Sequence, residues 1–326
     1  LYHGDYSKWL KLANSVKLRL AMRICYVKPD LAKQYAMEAV RDGVMETADD
    51  SALFQSWGSI TIINPLEKIW NGYSDTRMGA SMDSYLNGYN DPRLPVYFQP
   101  VTEGDNKGEY RGVANGMPNP QQDDYKAMSA PNVQEKSTDS PLRWMMASEV
   151  AFLRAEGAMR GWTAEMGGTA EEFYNKGIEL SFLENGLSAD AAARYAADET
   201  SKPTDFTDVS AANTKYNISA LGKITIKWNA GASEEEQLER IITQKWIAMF
   251  PNGTEAWSEF RRTGYPLIFP VRSNYPTSGV DTNKQIRRMV FPQSEYSNNG
   301  AAVQEAVKLL GGPDNGGTKL WWDKKN

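Results

Sequence analysis

Ser148-Glu149-Val150-Ala151-Phe152-Leu153-Arg154-Ala155-Glu156-Gly157-Ala158 is the stretch on which the fold turns. It lies within Leu142–Arg160, where Met145, Glu149, Phe152, Leu153 and Glu156 recur at the three- and four-residue spacing of a helix face. After the loop Gly161–Thr169 a second helical pattern follows over Ala170–Glu184, carried by Phe173, Tyr174, Ile178, Leu180 and Phe182. Ala155, Gly157, Ala158 and Gly177 are small, so two such helices can approach closely, as in tetratricopeptide-type hairpins. The expected fold is therefore mainly α, built from helical hairpins.

The same pattern appears towards the start of the chain. Trp9, Leu12, Val16, Leu20 and Ile24 mark one apolar face of a helix over Asp5–Tyr26, with Asp5 or Ser7 as its N-cap. Lys28-Pro29-Asp30 breaks it, because proline cannot continue the hydrogen-bond ladder. A second helix follows with Leu31, Tyr35, Ala39 and Val40 on one side and Gly43 as a C-terminal cap. Towards the other end, Asp190–Ala197 predicts a short helix, and Ser201–Gly231 a polar linker with a strand or extended piece at Ile224–Trp228. Glu234–Phe250 predicts a long helix with Leu238, Ile241, Ile242, Trp246 and Met249 in register. Glu234, Glu235 and Glu236 in its first turn suit the helix dipole. Glu255–Arg262 and Ala301–Leu310 are further helices, and Pro266–Pro276 is extended.

Residues 51–140 have another character. Asn64-Pro65, Asn71-Gly72, Asp91-Pro92, Gly104-Asp105, Asn115-Gly116 and Pro118-Asn119-Pro120 are turn signals, with one short helix near Gly79–Gly88. So long a loop region inside a compact domain is usually functional. The expected organisation is one domain over 1–326: hairpins in 1–45 and 142–200, a loop-rich ligand region in 51–140, and C-terminal helices and extended segments in 201–326.

The chemistry is narrowed mostly by exclusion. The formal net charge of −5 is the wrong sign for a nucleic-acid partner. The single cysteine, Cys25, allows no intramolecular disulfide, and its apolar helical setting reads as a buried small hydrophobe. The single histidine, His3, removes histidine triads and His-rich metal sites and reads as a surface residue near a chain end. No dinucleotide-type or Walker-type glycine loop occurs. No cofactor is expected, although Asp123-Asp124 or Asp281 could contribute to a structural calcium site. No run of about 18 apolar residues spans a membrane. The chain opens at Leu1 rather than Met, which we read as the loss of a natural N-terminus and, with it, of any targeting signal.

Three function classes remain, of which the least specific is a cytosolic helical scaffold that binds a protein groove. A glycoside hydrolase would need paired carboxylates about 5–10 Å apart across the bond to be cut. Asp75 with Asp83, or Glu149 with Glu156, are candidates, but Glu149 and Glu156 also suit ion pairs with Arg143, Arg154 or Arg160. Arg261-Arg262 reads either as an anion clamp or as structural arginines. The third class is a ligand-binding protein. A pyranose has apolar C–H faces and a rim of hydroxyls, so a Trp or Tyr ring with polar neighbours suits it. Trp57, Trp70, Tyr73 and Tyr110 sit among Asp75, Arg77 and Arg111 in the loop region, and these seven are the candidate ligand-binding residues. The competing reading is that such rings pin long loops to the helices.

Several stretches resemble the SusD/RagB family, in the family's order and over nearly the whole chain. Gly4-Asp5-Tyr6-Ser7-Lys8-Trp9 with Ala13–Arg23 is similar to its long central helix. Met78–Met82, Asp91-Pro92-Arg93-Leu94 and Tyr97-Phe98-Gln99-Pro100 resemble its loop region, and Ser148–Ala158 its most typical helix. Ile242–Ala248, Glu255-Ala256-Trp257 and Arg261–Pro266 are similar to its C-terminal signature. Pro292-Gln293-Ser294-Glu295, Gly311-Gly312 and Leu320-Trp321-Trp322-Asp323 also fit. The resemblance implies a SusD-like α/α superhelix with tetratricopeptide-like hairpins and no catalytic activity. It implies a lipoprotein exposed at the surface of the outer membrane, held only by an N-terminal lipid anchor absent from this chain. It further implies capture of oligosaccharides, or of peptides in RagB-like members, for a SusC-like TonB-dependent transporter. The family's N-terminal part, with its lipobox and first hairpins, is missing, and no binding residue is carried over by motif.

Overall fold

The computed structural model describes residues 1–117, 121–133, 140–274 and 278–325. The Pro118-Asn119-Pro120 turn and the end of the Pro266–Pro276 segment lie outside the described residues. In chain order the first elements are α1 Tyr6–Arg23, α2 Pro29–Arg41, β1 Ala52–Phe54, α3 Pro65–Glu67, α4 Ala80–Gly88, α5 Leu94–Tyr97, α6 Gln122–Tyr125 and β2 Leu142–Met145. Then come α7 Ala147–Met159, α8 Thr163–Met166, α9 Ala170–Leu183, α10 Ala189–Ala196, α11 Glu234–Ala248, α12 Gly253–Thr263 and α13 Gln293–Leu309. Side chains cap several starts, as the sequence requires. Asp5 accepts the N–H groups of Ser7 and Lys8, Thr169 and Glu172 form a capping box, and Ser233 accepts from Glu236.

Helix α7 is the axis of the molecule. It packs against α9, α11 and α1, while α1 pairs with α2 and α9 with α10. Nearly every α7 side chain is buried, so two apolar cores meet on it. One joins α1, α2 and α7 through Leu18, Met22, Ala32, Ala36, Val150 and Leu153. The other joins α4, α7, α9 and α11 through Tyr85, Leu86, Phe152, Tyr174, Ile178, Phe182, Ile241 and Ile242. The small residues do what their size suggests. A Cβ on Gly157 would lie 2.7 Å from the Met166 sulfur, and one on Gly177 2.7 Å from the Phe152 ring.

Five expectations need correction. The helix expected over Leu142–Arg160 begins only at Ala147, because Leu142–Met145 pairs as an antiparallel strand with Ala52–Phe54. The core face of α1 is not that of Trp9 and Leu20, which stay exposed. It is that of Leu18, Ala21 and Met22, with Asn14 and Ser15 also buried because each is hydrogen bonded. In α2 the buried stripe is Ala32, Ala36 and Ala39, while Leu31 and Tyr35 face outward: small side chains let α1 and α2 close up. Ser201–Gly231 is polar in composition but is a packed strap. Ile224, Ile226 and Trp228 alternate inward, and the Ile224 and Ile226 carbonyls accept from the Tyr89 and Tyr174 hydroxyls. The last helix also starts earlier than Ala301, at Gln293, with a kink at Asn299.

The loop-rich region is locked to the helices by Asp91-Pro92-Arg93. Arg93 is fully buried, bonds Asp91 through two nitrogens at 2.9 and 2.6 Å, and reaches Ser181 and Gln244 at 2.9 and 3.0 Å. Its guanidinium lies against the Phe182 and Tyr195 rings. A buried arginine is tolerable only when its donors are met in this way.

Candidate functional site

Three of the four carboxylates weighed for a hydrolase, Glu149, Glu156 and Asp83, are engaged in buried contacts. Glu149 is buried and receives Arg19 through Nε and Nη2 at 2.7 and 2.6 Å. Glu156 is fully buried between Arg262, at 2.7 and 2.6 Å, and Arg160, at 2.8 Å. Burial alone would raise the Glu156 pKa, but Arg262 and Arg160 outweigh it and hold the carboxyl at about 2. Asp83 is buried and accepts from Gly112 N–H and Asn87, with burial pushing its pKa up, whereas Asp75 is exposed. Neither pair faces the other across an open cleft. Arg261 and Arg262 prove structural. Arg261 donates to the Arg287 carbonyl and lies on Trp257, and Arg262 ties Glu156 to Glu259.

The seven aromatic and polar candidates separate into three places. Trp70 belongs to a wide helical turn, Lys68–Gly72, just after α3. The Arg77 guanidinium lies 4.7 Å from its ring centroid. Arg77 is clasped by backbone: it donates to the carbonyls of Ser74, Thr76, Tyr125 and Lys126 at 2.8–3.1 Å. Burial works against its charge while Asp75 supports it, and the balance lowers its pKa. Asp75 and Arg77 line a hollow of about 300 Å³ together with Ser74, Gln121, Gln122 and Tyr125. Tyr73, 58% exposed, borders it through its carbonyl, which accepts from Gln122 at 3.4 Å. Trp70, Tyr73, Asp75 and Arg77 thus come together.

Tyr110 and Arg111 do not join them. Tyr110 packs partly buried against the main core, and its carbonyl accepts from Asn87. Arg111 pairs with Glu109 at 2.9 Å, and its N–H bonds Ser129. Trp57, 65% exposed, stands in a third place, a hollow of about 470 Å³ beside the chain start. There its ring centroid is 5.7 Å from that of His3. Gln121 and Gln122 were missed because nothing in sequence brings residues fifty positions apart to one hollow. Trp144, half exposed and stacked on Phe54, was missed because it was counted into a helix.

Among the described residues no group of three or more His, Cys, Asp or Glu gathers to hold a metal ion. Asp123 pairs with Lys126, and Asp281 accepts the N–H groups of Asn283 and Lys284. Among the described residues no helix is long and apolar enough to cross a membrane.

A helical-hairpin frame that carries a loop face with exposed rings over polar hollows is a scaffold of the tetratricopeptide-containing kind. Comparison gives the family. The SusD-like model, described as SusD and RagB outer membrane lipoprotein, matches residues 1–323, and the chain belongs to this family. Among solved structures it is similar to a chitin-binding SusD homologue of Flavobacterium johnsoniae, with 43% identity and a TM-score of 0.91 over 100% of this chain and 65% of that one. A SusD-like protein of Bacteroides thetaiotaomicron gives 45% identity and a TM-score of 0.91, over 98% of this chain and 65% of that one. A SusD homologue of Bacteroides uniformis gives 42% and 0.90, over 100% and 66%. The chain therefore spans about two thirds of the length of these relatives. No curated protein sequence matches it.

Proposed function

We propose that this chain is the glycan-binding portion of a lipoprotein exposed at the surface of the outer membrane. It captures a neutral oligosaccharide without cleaving it and passes it to a SusC-like TonB-dependent transporter. The observation that carries this reading is the Trp70 ring, fixed in place by the backbone-clasped Arg77, beside a hollow lined with Asp75, Gln122 and Tyr125. A ring held still loses little freedom when a sugar face settles on it, and the neighbouring polar groups can bond the hydroxyl rim. The engagement of Glu149, Glu156 and Asp83 in buried contacts supports a role without hydrolysis. The chitin-binding description of the similar Flavobacterium johnsoniae protein makes chitohexaose the first probe.

Titration calorimetry tests the reading. The unaltered chain should bind chitohexaose or another member of a neutral oligosaccharide panel and release no shorter products. Trp70→Ala should weaken binding about tenfold, a change of about 1.4 kcal/mol, with an unchanged melting temperature. Unaltered affinity in Trp70→Ala would remove the hollow from the site, and product release would overturn the non-catalytic role.

A further inference from the structure

Strand β2 carries one residue more than the strand it faces. Ala52 pairs with Met145 and Leu53 with Arg143, so Trp144 is the extra residue of a bulge. Bulges re-aim side chains, and they collect beside functional sites. Here the bulge leaves Trp144 50% exposed, with its ring stacked on Phe54 at 5.2 Å between centroids and 30° between planes. Beside the ring is a hollow of about 420 Å³ whose polar lining is Asn64, Arg143 and Asn252. Asn64 and Arg143 also border a narrower hollow of about 130 Å³ on the side of Asn132 and Asn185. Among the described residues no Asp or Glu lines either one.

Arg143 is the second independent observation. Its Nη2 donates to Asn185 Oδ1 at 2.9 Å, but its Nη1 is buried and has no hydrogen-bond partner among the described residues. A buried donor in a native protein calls for an acceptor. The local chemistry therefore offers a flat ring with one face open, two neutral amides and one donor in want of an oxygen.

Resting on the glycan-binding reading above, we propose that the Trp144 bulge is a second glycan site, separate from the Trp70 hollow. It takes a neutral pyranose unit. The apolar C–H face of the sugar lies on Trp144, its hydroxyls bond Asn64 and Asn252, and a carbonyl or hydroxyl oxygen accepts from Arg143. The described lining of the Trp144 hollow is neutral apart from Arg143, which suits an uncharged ligand, and the amides can both donate to and accept from hydroxyls. The two sites share no lining residue, so one chain presents two gripping points to one long polymer.

The test is calorimetry with chitohexaose and the neutral oligosaccharide panel on the unaltered chain, Trp144→Ala, Trp144→Phe, Trp70→Ala and the double variant W70A/W144A. The expected result is an affinity loss of about tenfold for Trp144→Ala, partial recovery in Trp144→Phe, and residual binding in each single variant that disappears in the double one. Binding that Trp144→Ala leaves unchanged while Trp70→Ala weakens it overturns the second site and spares the functional reading. Binding lost in Trp144→Ala and unchanged in Trp70→Ala supports the bulge site and removes the Trp70 hollow. No binding by the unaltered chain to any panel member overturns both. Trp144 is half exposed, so the melting temperature should not move; a fall in Trp144→Ala that Trp144→Phe does not restore would mark the ring as structural and overturn the site.

Discussion

Arg262 and Arg77 bring the same guanidinium chemistry to two regions and do opposite things with it. Arg262 is fully buried where α12 meets α7 and bonds Glu156 through both Nη atoms. It also bonds Glu259 through Nε and Nη2, and Glu259 in turn receives Lys245 at 2.8 Å. Arg23 adds a further contact to Glu259 at 3.3 Å and pairs closely with Glu255. In that setting the charges hold helices in register and face no solvent. Arg77 gives its donors to loop carbonyls and turns its flat face to Trp70, beside the exposed Asp75. Charge density alone therefore does not locate the site. Two of the residues that looked most like a catalytic pair belong to the frame, and the proposed binding face is the one whose rings are left half in water.

The largest expected effect breaks the buried side of this comparison. Arg262→Met leaves Glu156 and Glu259 in a dry interior without their main cation. Removing one member of a buried ion pair costs about 3–5 kcal/mol, so urea denaturation should show a loss of that order or a chain that does not fold. An unchanged urea midpoint at an unchanged slope would show that the cluster is not what registers α12 on α7. Next comes Gly177→Ala on the α7–α9 contact. The new Cβ would meet ring atoms of Phe152 at 2.7 Å, and that fully buried ring is braced edge-on by Tyr174 at 6.2 Å. Overpacking of this kind costs about 1–3 kcal/mol, against the small gain that alanine brings to an ordinary helix position. A more stable variant would mean that the helices do not meet as closely as described. The affinity losses expected for Trp70→Ala and Trp144→Ala follow at about 1.4 kcal/mol, and they must leave stability alone.

These contrasts also show what could be read without coordinates. Helices α9, α10, α11 and α12 fall within a few residues of their sequence patterns, because periodicity, caps and breakers are all local. The buried faces of α1 and α2 are not local properties. Leu20, Leu31 and Tyr35 are larger than Ala21, Ala32 and Ala36 and would bury more area, yet the small residues are inside because the interface selects for closeness. Strand β2 was misread because four residues are too few to show a period of two, and its partner lies some ninety positions earlier. Half of the candidate site was legible for a similar reason. Trp70, Tyr73, Asp75 and Arg77 are neighbours in sequence and remain neighbours in space. Tyr110, Arg111 and Trp57 were grouped with them only by composition, and folding sends them elsewhere.

The smallest expected effect is a pH dependence that sharpens the line between the two regions. Glu239 lies on α11, half buried, and its Oε1 finds no hydrogen-bond partner among the described residues. Burial is the main cause that pushes its pKa up to about 7; Glu236 and Glu235 add to the rise, and Arg240 and Lys325 oppose it. A carboxyl whose pKa is higher folded than unfolded holds its proton in the native state after the unfolded chain has lost it. Below about 4.3 both forms are protonated and the group contributes no pH dependence. Between there and about 7 the native state binds more protons, so stability falls as pH rises, and above 7 the loss is complete. Partial exposure limits the effect to about 1 kcal/mol. Glu239→Gln keeps the shape and removes the charge, so the variant should be more stable than the parent at pH 8 by about that amount and should match it near pH 4. Melting curves at the two pH values check this. An equal difference at both would mean that the amide changes packing rather than charge.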